Sequence, residues 1–229
     1  MRRTVVGTVK ALALGVLLVM GCNRLDIEVV KLLPDPPLSS KAARSRRTAA
    51  APKPTVARKP NHAQDGPPGW VPPGGISQRW QCIVVHHSAS ATGCASDFHQ
   101  AHLQRGWDEL GYHFVIGNGT GSADGQVEVG SRWYKQKHGA HCKTAGNYHN
   151  EHGIGICLVG NFDRSYPTPR QMASLKKLLR FLMAKRGISW NRVIGHREAP
   201  GASTRCPGAH LSLARLRAAL QNDAIASGF

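Results

Sequence analysis

The chain has 229 residues, enough for one ordinary domain with a real core or for a smaller domain carrying appendages. Thirty Lys and Arg against 13 Asp and Glu leave a formal charge of +17, which points to an anionic partner without saying which anion. Nucleic acid is the generic candidate, and the chain carries no nucleic-acid-binding motif to support it.

At the N-terminus, Arg2, Arg3 and Lys10 precede an uncharged apolar run over residues 11–20. That is about half of the roughly 20 residues a membrane-spanning helix requires. A basic start with a short apolar centre predicts a secretory signal peptide over residues 1–22 and an exported chain. Val19-Met20-Gly21-Cys22 resembles the lipobox of bacterial lipoproteins, which makes Cys22 a candidate lipid acceptor and membrane tether. The expected location is therefore periplasmic, the outer membrane as a lipoprotein, or outside the cell as a secreted protein. Export favours cell-wall polymer or lipid headgroups over nucleic acid as the anionic partner.

Residues 23–75 lose hydrophobic periodicity and fill with proline, alanine and basic residues, as in Pro34-Asp35-Pro36-Pro37 and Pro67-Pro68. Such a stretch buries too little apolar surface to offset its ordering entropy, and it reads as a disordered, partly polyproline tether. The folded part is expected over residues 76–229. It holds 18 Lys and Arg against nine Asp and Glu, so the basic excess is not confined to the tail.

Trp80 to Val85 is a β-branched apolar run of strand length, continuous enough for a central strand buried on both faces. Ser96 is placed to cap a helix from Asp97 to about Arg105, with Gly106 stopping it. Gly111 to Gly117 predicts a second strand with Tyr112, Phe114 and Ile116 alternating, and Asp124-Gly125 marks a turn before a strand at Val127 to Val129. Gly153 to Gly160 is a third core strand whose glycines suggest close backbone approach. Thr168-Pro169-Arg170-Gln171 combines a capping box with proline at the first helical position, and Met172, Leu175, Leu179, Leu182 and Met183 recur on one face until Gly187. Val193-Ile194 predicts a short strand, and Leu211 to Gln221 a final amphipathic helix. Strands interleaved with helices predict an α/β fold, a mixed central β-sheet flanked by helices.

Three distant stretches carry the chemistry: His86-His87 after the first strand, Gly111-Tyr112-His113-Phe114, and Gly195-His196-Arg197-Glu198 followed by Cys206. A catalytic zinc keeps three protein ligands and leaves a position for water. His86, His196 and Cys206 are the expected set, with His87 as an alternative to His86. Nine residues separate His196 from Cys206, room for a loop that turns back on itself. Two neutral imidazoles and a thiolate would leave a zinc ion residual positive charge, able to acidify water and polarise an amide carbonyl. His138-Gly139-Ala140-His141-Cys142 is a competing constellation, but adjacent His141 and Cys142 are cramped for one ion. Glu198, two positions after His196, reads as holding a loop or a basic neighbour. The remaining cysteines suit an oxidising compartment, with Cys157 a buried thiol and a disulfide between Cys94 and Cys142 as one expectation.

The order of IVVHHSAS, RGWDELGYHF, ADGQVEVG, HGAH, GIGICLVGNF, PTPRQMASLKKLL, GHRE and TRCPG resembles the zinc-dependent N-acetylmuramoyl-L-alanine amidases, a family that includes phage lysozymes of the amidase kind and animal peptidoglycan recognition proteins. The resemblance covers nearly all of residues 80–221. It implies the peptidoglycan recognition protein-like amidase fold and Zn2+ on His86, His196 and Cys206. It also implies cleavage of the amide between N-acetylmuramic acid and L-alanine by zinc-activated water, with peptidoglycan or muropeptides as partners and a monomeric enzyme.

One branch of the family carries a glutamate in the third strand; Cys157 stands there in this chain, which implies the style that uses the tyrosine of the GYHF-like motif, here Tyr112. Thr204 occupies the place of a residue that stabilises the tetrahedral intermediate. His141 is implied as a substrate contact along the groove, with Asn147 or Asn150 as the groove asparagine. Members that only bind lose the cysteine ligand, and this chain keeps Cys206. A binding protein without catalysis is the alternative.

Overall fold

Residues 66–226 are described by the computed structural model; the expected signal peptide with Cys22, and residues 23–65 of the expected tether, lie outside the described residues. Packing begins upstream of residue 76. Trp70 is buried in the main core with its ring centroid 5.3 Å from that of Phe181, and its carbonyl accepts from the Trp133 indole at 2.9 Å. A single tryptophan between glycines and prolines carries no periodicity, so the sequence pattern places the domain boundary too late.

Five strands form one sheet among the described residues: β1 (Cys82–His87), β2 (Phe114–Ile116), β3 (Val127–Val129), β4 (Gly153–Leu158) and β5 (Val193–Gly195), in the order β3-β2-β4-β1-β5. Only the β2–β3 pair is antiparallel. The expected mixed sheet is present with β4 at its centre, and β1, an interior strand between β4 and β5, is buried along its whole length. Helices α1 (Ala95–Gln104), α2 (Ser131–Tyr134), α3 (Tyr148–Glu151), α4 (Pro169–Arg186) and α5 (Leu213–Ala226) complete the fold.

Strand alternation divides the labour between the faces of the sheet. Ile83, Val85, Phe114, Ile116, Ile154, Ile156 and Leu158 pack with Leu175, Leu179 and Leu182 of α4 and Leu213, Leu216 and Leu220 of α5 in the main core. Each such side chain contributes roughly 1.5–3 kcal/mol by leaving water. The intervening residues belong to two small clusters, one around Val115 and Cys157 and the other around Val84, Cys142 and Ala199. His86 shares that second face with Val84, which places chemistry where the apolar cover is thinnest.

The α4 signals read from sequence are realised: Thr168 Oγ1 accepts from the Gln171 amide, the Gln171 side chain accepts from the Thr168 amide, and Gly187 ends the helix at φ 63°. Buried Gln171 also donates to the carbonyls of Ile116 and Val159, tying the helix start to the sheet. Three expectations shift. Helix α1 starts at Ala95 without a Ser96 cap, because the Glu128 carboxylate of β3 accepts from the Ala95 amide at 3.2 Å and satisfies that end. Strand β2 is confined to Phe114–Ile116, since the Gly111 amide donates to His102 Nδ1 and its carbonyl accepts from Ala140. Helix α5 runs Leu213–Ala226, later than the pattern predicts. No disulfide joins Cys94 to Cys142: Cys94 sits at the start of α1 while Cys142 packs with Val84 and Ala199.

An ionic cluster built around buried Arg132 and Glu109 fixes the segment before β2. Arg132, 1% exposed, donates to the carbonyls of Leu110 and His138 and pairs with Asp108. Glu109 accepts from Ser131, Lys135 and Lys137. Burial alone would raise the Glu109 carboxyl, but the Ser131 hydroxyl and the two ammonium groups outweigh it and hold it at about 2. A carboxyl depressed in the folded state contributes stability above its unfolded pKa and loses it as pH falls through the folded one. Glu109→Gln is therefore expected to lower stability at pH 7 and to flatten its decline between pH 4.5 and about 2. Urea unfolding across that range checks both; parallel curves for parent and variant would refute the assignment.

Candidate metal centre

Strand β1 runs through both histidines, which sends their side chains to opposite faces. His87 Nδ1 accepts from the Phe162 amide at 3.0 Å, on the side of the main core. His86 faces the other way. The β1–β5 register pairs Val85 with Gly195, so His86 and His196 leave adjacent parallel strands side by side, their rings 4.8 Å apart. The loop after His196 returns Cys206 to them: the Arg197 amide donates to the Cys206 carbonyl at 2.8 Å and the Arg197 guanidinium to Gly208 O at 2.9 Å. Gly195 permits this approach, because a Cβ there would lie 2.7 Å from Pro207 Cδ.

His86, His196 and Cys206 each present one ligand atom, and these atoms lie within 4.8 Å of one another. His86 Nδ1 is 3.6 Å from Cys206 Sγ, which also accepts from the His87 amide at 3.4 Å. Burial, and then the neighbouring imidazoles of His141, His196 and His87, pushes His86 well below the usual histidine range. His196 is lowered by burial and by His149. Both rings are thus neutral and able to donate lone pairs. Burial pushes the Cys206 thiol up to about 12, against the His87 amide and Arg197, which lower it. Protein groups alone leave it protonated, so the thiolate this donor set needs calls for a cation in contact. Two neutral imidazoles and a thiol on separate elements fit a zinc ion in ligand type and number.

Tyr112 is half-buried beside the trio, its ring centroid 5.3 Å from that of His86. Burial first, then Cys157 and Cys206, raises its hydroxyl well above the usual phenol value, and the Cys157 thiol lies within hydrogen-bond reach. Cys157 itself is fully buried. Thr204 is exposed; its Oγ1 accepts from the Cys206 amide at 3.1 Å, which leaves the hydroxyl hydrogen free to donate elsewhere. Glu198 accepts from the Gly195 amide at 2.9 Å and from both terminal nitrogens of Arg217, so it holds a loop and a basic neighbour.

The three expected groove residues sit differently from one another. His141 is 7% exposed and packs against His86. Asn150 is buried, with Oδ1 accepting from the His141 and Cys142 amides at 2.8 Å each and Nδ2 donating to Asn147 Oδ1 at 2.8 Å. Asn147 is exposed at φ 54°. A cavity of about 390 Å³ that sequence reasoning missed opens beside β5, lined by Cys82, Tyr148, His149, Arg192, Ile194 and Glu198. Arg192 and His149 come from segments with no motif of their own, so only the fold joins them.

Residues 77–209 match a family model described as N-acetylmuramoyl-L-alanine amidase. The chain is 30% identical over 142 residues to peptidoglycan-recognition protein LB of Drosophila melanogaster, covering 56% of this chain and 55% of that protein. It is 38% identical over 112 residues to the endolysin of Escherichia phage T7, covering 45% of this chain and 66% of that one. Among solved structures it is similar to N-acetylmuramoyl-L-alanine amidase LysC from Clostridium intestinale URNW, with a TM-score of 0.54, 31% identity, and 66% and 92% of the two chains covered. The match thus spans about half of the first of these curated relatives and just under two thirds of the second.

Proposed function

We infer the function from one premise: this chain belongs to the N-acetylmuramoyl-L-alanine amidase family. It hydrolyses the amide between N-acetylmuramic acid and L-alanine of the peptidoglycan stem. The observation that carries this reading is the convergence of His86, His196 and Cys206 beside Tyr112 within the matched residues.

His86, His196 and Cys206 hold the zinc. When bound, the ion supplies Lewis acidity, lowering the pKa of water and polarising the scissile carbonyl. Tyr112, which keeps its proton, donates its hydroxyl to orient water or substrate oxygen. Thr204 turns its free hydroxyl hydrogen to the developing oxyanion. Arg192, lining the cavity beside β5, meets stem-peptide carboxylates, and Asn147 is the exposed asparagine available to the groove. The partner is peptidoglycan or its muropeptides, and no nucleic acid is involved.

The enzyme works as a monomer after export, with Cys22 as the acceptor of a membrane-tethering lipid. The basic start and the short apolar run at 11–20 support that placement.

Digestion of purified peptidoglycan with and without chelator, followed by mass analysis, tests the activity. Free stem peptides bearing an N-terminal alanine are expected, and chelator abolishes them. Zinc-loaded protein that binds peptidoglycan and releases no stem peptide would replace the hydrolase with a binding protein.

A further inference from the structure

His141 lies too deep to be primarily a substrate contact, and its two ring nitrogens are both engaged. Nε2 is 3.2 Å from the Gly153 carbonyl oxygen and Nδ1 is 3.0 Å from His86 Nε2. The ring occupies a slot that two glycines keep open. A Cβ at Gly155 would stand 2.3 Å from His141 Cδ2, and one at Gly139 would stand 2.4 Å from the same atom. Asn150 clamps the backbone on either side by accepting from the amides of His141 and Cys142.

We propose that His141 is a positioning residue that dictates which nitrogen of His86 is bare, through a chain of hydrogen bonds anchored on the Gly153 carbonyl. A carbonyl oxygen only accepts, so the His141 nitrogen facing it must carry hydrogen. The neutral ring then has its lone pair on Nδ1, which accepts from His86 Nε2. His86 is left with its lone pair on Nδ1, the atom that faces Cys206 Sγ. The opposite pair of tautomers would set the Nε2 lone pair of His141 against that of the carbonyl. The inference rests on the zinc reading for its purpose: an orienting partner behind a ligand histidine fixes its ring and strengthens its donor nitrogen. Here that partner is a second imidazole seated on the backbone of β4, so the sheet itself sets the ligand's proton.

Long-range proton–nitrogen NMR on the metal-free, histidine-labelled full chain reads the tautomer directly. The expected spectrum has His86 protonated on Nε2 and bare on Nδ1; a proton on Nδ1 would overturn the proposal. Zinc affinity, by competition with a chromophoric chelator, gives the second readout. His141→Leu, which removes the acceptor, is expected to weaken zinc by about 10–100-fold. His141→Gln, whose amide oxygen can accept from His86 Nε2, should recover most of that loss. Parent affinity in the leucine variant would refute the role of His141 while leaving the metal site intact. A parent chain that takes up no zinc would refute the metal reading instead. Should the leucine variant fail to fold, the tautomer of the parent decides.

Discussion

Cys206→Ser is expected to reduce bound zinc from one equivalent to almost none and to cut stem-peptide release by more than about a hundredfold, the upper range for losing a mere orienting partner. The thiol is pushed up to about 12 by burial, yet a soft sulfur anion forms readily against a cation. A serine hydroxyl holds its proton far more tightly and offers no anionic donor. The substitution should spare the fold, since serine oxygen can still accept from the His87 amide that now meets Cys206 Sγ at 3.4 Å. Parent and variant are therefore expected to melt alike in chelator and to diverge when zinc is added. Metal analysis showing parent-like zinc in the variant would remove Cys206 from the ligand set.

Tyr112→Phe is expected to lower kcat by about 10²–10³, the cost of removing one donor aimed at developing charge, while zinc content stays at one equivalent. The tyrosine is raised well above its ordinary value by burial, then by Cys157 and Cys206, so through the neutral range it acts with its proton on. A hydroxyl that works protonated adds no rise in rate as pH climbs from 6 to 9, so parent and variant should show profiles of the same shape, displaced vertically. A parent rate that climbs steadily toward pH 10, with the climb lost in the phenylalanine variant, would make Tyr112 a base.

Helix α4 was legible because its signals are local: the box at Thr168 and Gln171, the proline between them and the terminal glycine all act within a few residues. The cluster of His86, His196 and Cys206 was legible as residue types and in chain order, but which of His86 and His87 joins it was not. That choice depends on where β1 ends. The apolar run stops at Val85, whereas the ladder continues through His87 opposite Leu158, and only that extension assigns the two rings to opposite faces. The seat of His141 was hidden for a related reason. Its partner His86 lies 55 residues upstream, and no local pattern announces the contact. The glycines of β4 did signal close approach, without naming the imidazole that fills the space over Gly155. The cavity at Arg192 and His149 left no mark in sequence because neither residue belongs to a periodic or capping pattern.

The pairing of β1 with β4 through all six residues, Cys82 opposite Gly153 to His87 opposite Leu158, works as an alignment gauge. Strand side chains alternate, so a slip of a single residue would turn His86 toward the helices and offer His87 or Val85 in its place. A chain with that error would keep its strands, helices and far-ultraviolet spectrum and would be chemically blank. Fidelity of pairing along the middle of the sheet, rather than helix content or overall compactness, is thus the property on which a working molecule depends.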